Sequence, residues 1–175
     1  TPENAISLLR EQEIKLNDKI EELRSIQDML GIKLRKLEEG VSSKTGIVQI
    51  QYFDETPVLL SDSFSADRHH IPDDIWLDFY MKCKQQHISF GYPEGYLIGM
   101  ENLFQAQTSI VSNIIAYVHD GKYANSTIPA GDYVTAYGAG GLEDTKEIYD
   151  RIFTFIKENN YRITGDAYEE RLIDE

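Results

Sequence analysis

The first forty residues carry apolar side chains at a heptad spacing. One row of leucines repeats every seven residues: Leu9, Leu16, Leu23, Leu30 and Leu37. A second row runs beside it with the same period, consisting of Ile6, Ile20 and Leu34 and interrupted by Glu13 and Gln27. These rows are the a and d positions of a coiled coil, so residues 1–40 are predicted to form a dimerisation helix roughly 50 Å long.

A helix with such a stripe leaves its leucines in water unless a second helix covers them. The pattern therefore predicts a homodimer, with the direction of the partner helix left open. The alternative is a helix that packs on the globular domain of its own chain.

From residue 45 the apolar period changes from helical to strand-like. Strands are predicted at 47–53, 58–64, 96–100, 110–118, 132–137 and 162–173, and helices at 72–87 and 143–159. The strand–helix–strand order occurs twice, which predicts a duplicated α+β domain over 45–175, with helices on one side of an antiparallel sheet. The second unit stops after one strand, so we expect a closing strand beyond Glu175. The chain starts inside a helix and without Met, so we also expect a missing N-terminal part.

Charge and composition narrow the function. The formal net charge is -13, with no basic run, which argues against direct binding of nucleic acid by these residues. One cysteine, Cys83, fits a reducing, cytoplasmic location. The sequence has neither a signal peptide nor an 18-residue apolar run, so no membrane association is expected.

Tyrosines are numerous in the second region. Six lie on predicted elements: Tyr80, Tyr96, Tyr117, Tyr133, Tyr137 and Tyr168. A tyrosine offers a flat apolar face with a polar rim, and a cation over such a ring gains about 0.5–2 kcal/mol. We expect about half of them to line a site for planar lipophilic ligands, and the rest to be core or surface residues.

Two adjacent carboxylates interrupt the last apolar strand. Side chains alternate across a sheet, so Glu169 and Glu170 must face opposite sides. A carboxylate on a helix-covered side needs a positive partner, and a cationic ligand can supply it. The alternative is an edge strand with both carboxylates in water.

Other chemical signals are weak. His69 and His70 lie in a polar loop without a ligand cluster, so no metal is expected. The glycines at 138–141 lack the residues of a phosphate-binding motif and predict a tight turn. The sequence places no histidine beside Cys83 that could activate its thiol, so a buried structural thiol is expected. No cofactor and no catalytic arrangement is predicted.

The C-terminal segments resemble a known domain. Three of them carry the resemblance: Ile128-Pro-Ala-Gly-Asp-Tyr133, a helix that ends with Phe155-Ile-Lys-Glu-Asn-Asn160, and Gly165-Asp-Ala-Tyr-Glu169. They are similar to the gyrase-inhibitor-like effector-binding domain. With the preceding coiled coil, the chain resembles the C-terminal part of a MerR-family multidrug-responsive transcription regulator.

The resemblance implies a non-enzymatic homodimer with antiparallel coiled-coil helices. A winged helix-turn-helix in the missing N-terminal part would bind promoter DNA. The ligand would be a lipophilic, cationic aromatic molecule in an aromatic pocket. The resemblance also extends to hydrolases of this fold, which would use Glu169 as general base and a tyrosine as acid or oxyanion donor. A protein-interaction module is a further alternative.

The resemblance also implies roles for individual residues. Glu169 would neutralise the ligand at the base of the pocket. The other expected ligand-binding residues are Tyr80, Tyr96, Trp76, Tyr137, Tyr133, Phe79, Tyr168 and Tyr117. Trp76 is included because it lies one helical turn before Tyr80, and Tyr133 and Tyr137 because they share a strand face. Arg171 departs from the pattern, and we expect it to pair with Glu169 if it shares the face of that carboxylate.

Overall fold

The computed structural model describes residues 2–42, 46–86, 88, 94–118, 121–138 and 145–171. The helices are α1 (Pro2–Ser42), α2 (Asp73–Gln85), α3 (Met100–Phe104) and α4 (Thr145–Glu158), and a short 3-10 helix spans Gly121–Tyr123. The strands are β1 (Val48–Phe53), β2 (Thr56–Leu60), β3 (Ala66–Asp67), β4 (Glu94–Ile98), β5 (Ile110–Val111), β6 (Asn113–Tyr117), β7 (Ser126–Ile128), β8 (Gly131–Ala136) and β9 (Ala167–Glu170).

The strands of the described residues pair only in antiparallel fashion. The largest sheet has the order β7-β2-β6-β4-β9. Two-stranded ribbons are formed by β1 with β8 and by β3 with β5. A long helix followed by an antiparallel sheet with helices is the predicted α+β fold, which is confirmed.

Equivalent strands of the two strand–helix–strand units pair with each other. The first strands of the units, β1 and β8, form one ribbon, and the strands after the helices, β4 and β9, are neighbours in the sheet. Antiparallel pairing of equivalent strands is what an approximate two-fold relation between the units produces. The β4–β9 contact is therefore the seam between the units.

Several element bounds differ from the sequence prediction. The last strand is limited to β9, because it begins only where Ala167 reaches Ile98 of β4. Upstream of it, the carboxylate of Asp166 accepts a hydrogen bond of 2.9 Å from the backbone N–H of Met100, which opens α3. The sequence pattern did not indicate α3, β3 or β7. It placed the end of the first helix at residue 40, whereas α1 tolerates Gly40 and continues to Ser42.

Helix α1 has two different apolar faces. Ser25 and Met29 are buried, and Ile26 and Ile32 pack against the core of the domain. Seven residues of the heptad rows are instead 45–69% exposed: Ile6, Leu9, Leu16, Ile20, Leu23, Leu30 and Leu34. At about 100° per residue, Leu16, Leu23 and Leu30 lie about 100–140° around the helix from Met29. The helix thus packs on its own domain through one face and presents the leucine stripe on the other.

The sheet separates two clusters of apolar side chains. The larger cluster lies on the side covered by α2 and α4, and it includes Phe79, Ile98, Ile114, Tyr96 and Tyr149. The smaller cluster lies on the other side and is built from Val58, Ile115, Tyr117 and Ile128. Within the described ranges, no helix is both long and apolar enough to span a membrane.

Gly95 allows β4 and β9 to approach closely at the seam. A Cβ atom at this position would overlap the backbone carbonyl oxygen of Glu169. We predict that Gly95→Ala lowers the free energy of unfolding by about 1–3 kcal/mol, because the added methyl group forces the two strands apart. Urea denaturation measures the change.

Gly165→Ala is the matched control, since a Cβ atom there meets nothing within 4 Å. Equal stability of both variants and the wild type would contradict the close approach at Gly95.

Candidate functional site

Glu169 lies at the seam, on the helix-covered side of the sheet. It is directly opposite Tyr96 in the β4–β9 register, and residues paired in this way point to the same side. Its side chain is only 16% exposed. Glu170, the next residue, points to the other side. The alternation expected from the sequence thus puts one carboxylate into each environment.

Arg68 neutralises Glu169. Its Nη1 atom is 2.5 Å from Oε2 of Glu169, and its Nη2 atom is 2.8 Å from Oε1, so the pair is bidentate. Nη2 also donates to the backbone carbonyl of Thr108. The Arg68 side chain is 2% exposed, and its guanidinium carbon lies 6.0 Å from the centre of the Tyr96 ring.

One neighbouring loop binds both the backbone and the side chain of Arg68. The residue follows β3 in a turn, and its backbone N–H donates to the carbonyl of Ser109 at 2.9 Å. The neighbouring Thr108 receives the side chain. Both the main chain and the guanidinium are therefore fixed by the loop that precedes β5.

Tyr149 completes the surroundings of the carboxylate. This residue of α4 is buried, and its ring lies 6.0 Å from that of Phe153. Burial raises the pKa of Tyr149 well above its usual value, and the charge of Glu169 and a hydrogen bond to it raise it further. Tyr149 therefore remains a neutral hydrogen-bond donor to Glu169.

No sequence pattern pointed to Arg68 or Tyr149. A positive partner was expected for a buried carboxylate, with a cationic ligand and Arg171 as the candidates. Arg171 is exposed, and both oxygens of Glu169 accept hydrogen bonds from Arg68 instead, so Arg171 is not that partner. A buried carboxylate requires a nearby cation, but this requirement does not indicate which residue of the chain supplies it.

Three predicted aromatic residues gather on the same side as Glu169. Trp76 and Tyr80 of α2 are stacked, with ring centres 5.6 Å apart. Trp76 also meets Tyr96 edge-on at 6.5 Å. Phe79, on the same helix, is 2% exposed and, like Tyr96 at 4%, belongs to the larger core cluster. The structure therefore brings Trp76, Tyr80 and Tyr96 together near the Arg68–Glu169 pair.

Three other predicted tyrosines lie on the opposite side of the sheet. Tyr133 meets Tyr168 edge-on at 6.2 Å, and both pack against the cluster that contains Tyr117. Burial raises the pKa of Tyr117 well above its usual value, and the charges of Glu170 and Tyr168 raise it further. Burial also raises the pKa of Tyr133, whose hydroxyl donates to the carbonyl of Pro129 at 2.7 Å. The predicted site residues thus form two clusters rather than one.

The remaining candidates lie elsewhere. Tyr137 is half-buried just after β8, where its backbone carbonyl accepts a hydrogen bond from Gly46. His69 and His70 are exposed, and the described residues contain no group of His, Cys, Asp and Glu suited to a metal ion. Cys83 packs against the larger core cluster. Most of the predicted turn at 138–141 lies outside the described residues.

Comparison with known proteins gives one informative similarity. No protein-family model matches the chain. The chain is 28% identical over 181 residues to a Bacillus subtilis (strain 168) protein described as "Multidrug-efflux transporter 2 regulator". The match covers all of this chain and 64% of that protein, so the chain spans less than two thirds of its relative. This similarity supports a relationship to a family of multidrug regulators.

The tyrosines predict how stability changes at alkaline pH. The pKa of Tyr168 is raised to about 12, mainly by burial and further by the charges of Asp166 and Tyr133. A tyrosine in an unfolded chain titrates near about 10. Its stabilising effect is therefore complete below about pH 10 and is lost as the pH rises towards about 12. We predict that Tyr168→Phe loses less stability than the wild type between about pH 10 and 12.

Urea midpoints at several pH values measure this difference. Tyr52→Phe is the control, because the side chain of Tyr52 is 62% exposed on β1. If Tyr168→Phe and the wild type lost stability in parallel, the role of the buried hydroxyl would be refuted.

Proposed function

We propose that the chain is the effector-sensing and dimerisation part of a ligand-responsive transcription regulator. Its ligands would be lipophilic, cationic aromatic molecules that bind beside Glu169. One observation carries the proposal: Glu169 already holds a planar, delocalised cation, the guanidinium of Arg68, on the helix-covered side of the sheet. The chemistry of that position suits a flat cation.

The aromatic neighbours support the same ligand class. Tyr96 lies opposite Glu169, and Trp76 links Tyr96 to Tyr80 through two ring contacts. Rings of this kind offer apolar area to a planar molecule and an electron-rich face to its charge. A carboxylate with aromatic neighbours favours lipophilic cations over small hydrated ions.

The similarity to a multidrug-efflux regulator supports a role in transcription. Promoter DNA would be bound by a winged helix-turn-helix outside this chain, since the net charge of -13 does not suit a phosphate backbone. A regulator of this kind works in the cytoplasm.

The packing of α1 suggests how ligand binding reaches the dimer. Met29 of α1 belongs to the same cluster as Tyr96 and Tyr149, which are both neighbours of Glu169. A ligand that rearranges this cluster changes the surface on which α1 rests. DNA binding and ligand binding would then bias the same states of the dimer.

With Arg68 in place, Glu169 is not arranged as the general base of the hydrolase alternative. A general base needs a carboxylate oxygen that is free to take a proton from a substrate or water. Both oxygens of Glu169 accept hydrogen bonds from Arg68. The leucine stripe of α1 argues further for a dimeric regulator over a small monomeric enzyme or a peptide-binding module.

The ligand prediction uses two probes of similar shape, the 10-methylacridinium cation and acridine, which is uncharged at about pH 8. We expect the wild type to prefer the cation. Glu169→Gln should weaken cation binding by about tenfold or more, because it removes the charge that favours the cation. Fluorescence titration measures both affinities.

Glu170→Gln is the matched control, since this neighbouring carboxylate faces the other side of the sheet. The double variant Glu169→Gln with Arg68→Met avoids a buried unpaired arginine and should also lack the preference for the cation. A loss of cation binding in Glu170→Gln alone would place the ligand on the wrong side of the sheet for this proposal.

The dimer prediction rests on two residues of equal exposure. Leu16 in the heptad row is 63% exposed, and Ile14 outside the row is 62% exposed. A leucine buried in a dimer contributes about 1.5–3 kcal/mol, so Leu16→Lys should weaken dimerisation by at least about tenfold. Sedimentation equilibrium measures the dissociation constant.

Ile14→Lys adds the same charge at a position that lies on the other side of the helix, and it should leave the dimer intact. A wild-type chain that sediments as a monomer at micromolar concentration would contradict the proposal, whatever the variants do.

A further inference from the structure

We propose that Arg68 is a resident cation that occupies the effector position, so that an effector binds by exchange with Arg68. This inference rests on the proposed function and deepens it. Arg68 would determine which ligands the site accepts, because any molecule that binds Glu169 must first replace the guanidinium.

The contacts of Arg68 are those that a bound planar cation would make. Its guanidinium donates a hydrogen bond to each carboxylate oxygen of Glu169, and its guanidinium carbon is 6.0 Å from the ring centre of Tyr96. With 2% exposure, its side chain is sealed from water. A planar ligand cation placed against the same edge of the carboxylate would occupy the space that the guanidinium now fills.

Arg68 is also attached in a way that permits exchange. It is borne by a turn rather than by the sheet, whereas Glu169 lies within β9 and is held by its pairing with β4. The third hydrogen bond of its guanidinium goes to a loop carbonyl, that of Thr108. The arginine side chain can therefore leave without breaking a strand pair, and its long stem can carry the charge to water.

The exchange discriminates between ligands by charge. Removing one member of a buried ion pair leaves the other charge uncompensated, which strongly disfavours displacement by a neutral molecule. A cationic ligand restores the pair with Glu169, while Arg68 is compensated by hydration. Neutral aromatic molecules can at most bind beside the intact pair.

The exchange also discriminates by hydrophobicity. A small hydrated cation loses its water in displacing Arg68 and gains little from the rings. An aromatic cation adds contacts with Tyr96 and Trp76 that the guanidinium lacks the area to make. The site would thus select molecules that combine positive charge with a large aromatic surface.

Removing the resident cation tests the inference. Arg68→Met keeps much of the side-chain volume and leaves Glu169 open to the probe. We expect 10-methylacridinium to bind Arg68→Met at least about tenfold more tightly than the wild type, with acridine changing by less than about threefold. Titration of both probes by fluorescence at about pH 8 gives the ratio.

Arg68→Lys keeps the inference falsifiable if Arg68→Met does not fold. It retains the charge but loses the bidentate fork, and an ammonium is more strongly hydrated, so it leaves more readily than the guanidinium. We expect an increase of about threefold in affinity for 10-methylacridinium, smaller than that in Arg68→Met. An unchanged or lower affinity in Arg68→Lys would overturn the exchange.

The outcomes separate this inference from the proposed function. If neither probe binds the wild type or any Arg68 variant, the proposed ligand site itself is wrong. If both probes bind the wild type and Arg68→Met changes them in parallel, or weakens the cation, the site stands and the exchange is wrong. Cation binding that appears only after Arg68 is replaced would overturn the exchange, because an arginine that excludes the probe from the wild type is not displaced by it.

Discussion

The helix-covered side of the sheet carries a carboxylate, and a carboxylate removed from water requires a cation. This requirement joins parts of the chain that are far apart in sequence. Glu169 lies near the end of the chain, and its partner Arg68 lies 101 residues before it, in a turn held by the loop at Thr108 and Ser109. The Arg68–Glu169 ion pair thus fixes the turn, the loop and β9 relative to one another.

Helix α1 relates this interior to the rest of the molecule. Its two apolar faces have different surroundings. Met29 packs into the cluster around the ion pair, and the leucine stripe faces away from the domain. Because the helix is continuous over Pro2–Ser42, a shift at Met29 would be carried along it. The same element is thus shared by the proposed sensor and the proposed dimer.

The sequence reveals periodic features better than tertiary ones. Heptad leucines and alternating strand residues predicted α1 and most of the sheet, because each repeats within a short window. The alternation of side chains along a strand also predicted that Glu169 and Glu170 face opposite sides of the sheet. Arg68 was not predictable, since a charged residue in a polar loop gives no sign of burial. Most of the tyrosines were grouped without regard to their side of the sheet, although Tyr168 and Glu169, as neighbours in one strand, had to face opposite sides.

The seam between β4 and β9 has a consequence for how such a site can arise. Tyr96 comes from one strand–helix–strand unit and Glu169 from the other, and they meet because the equivalent strands pair. If two identical half-length chains met in this way, both sides of the seam would carry the same side chains. Covalent fusion removes that constraint, so that one half can keep an aromatic surface while the other acquires a charge. The asymmetry of the site is available only to a duplicated chain.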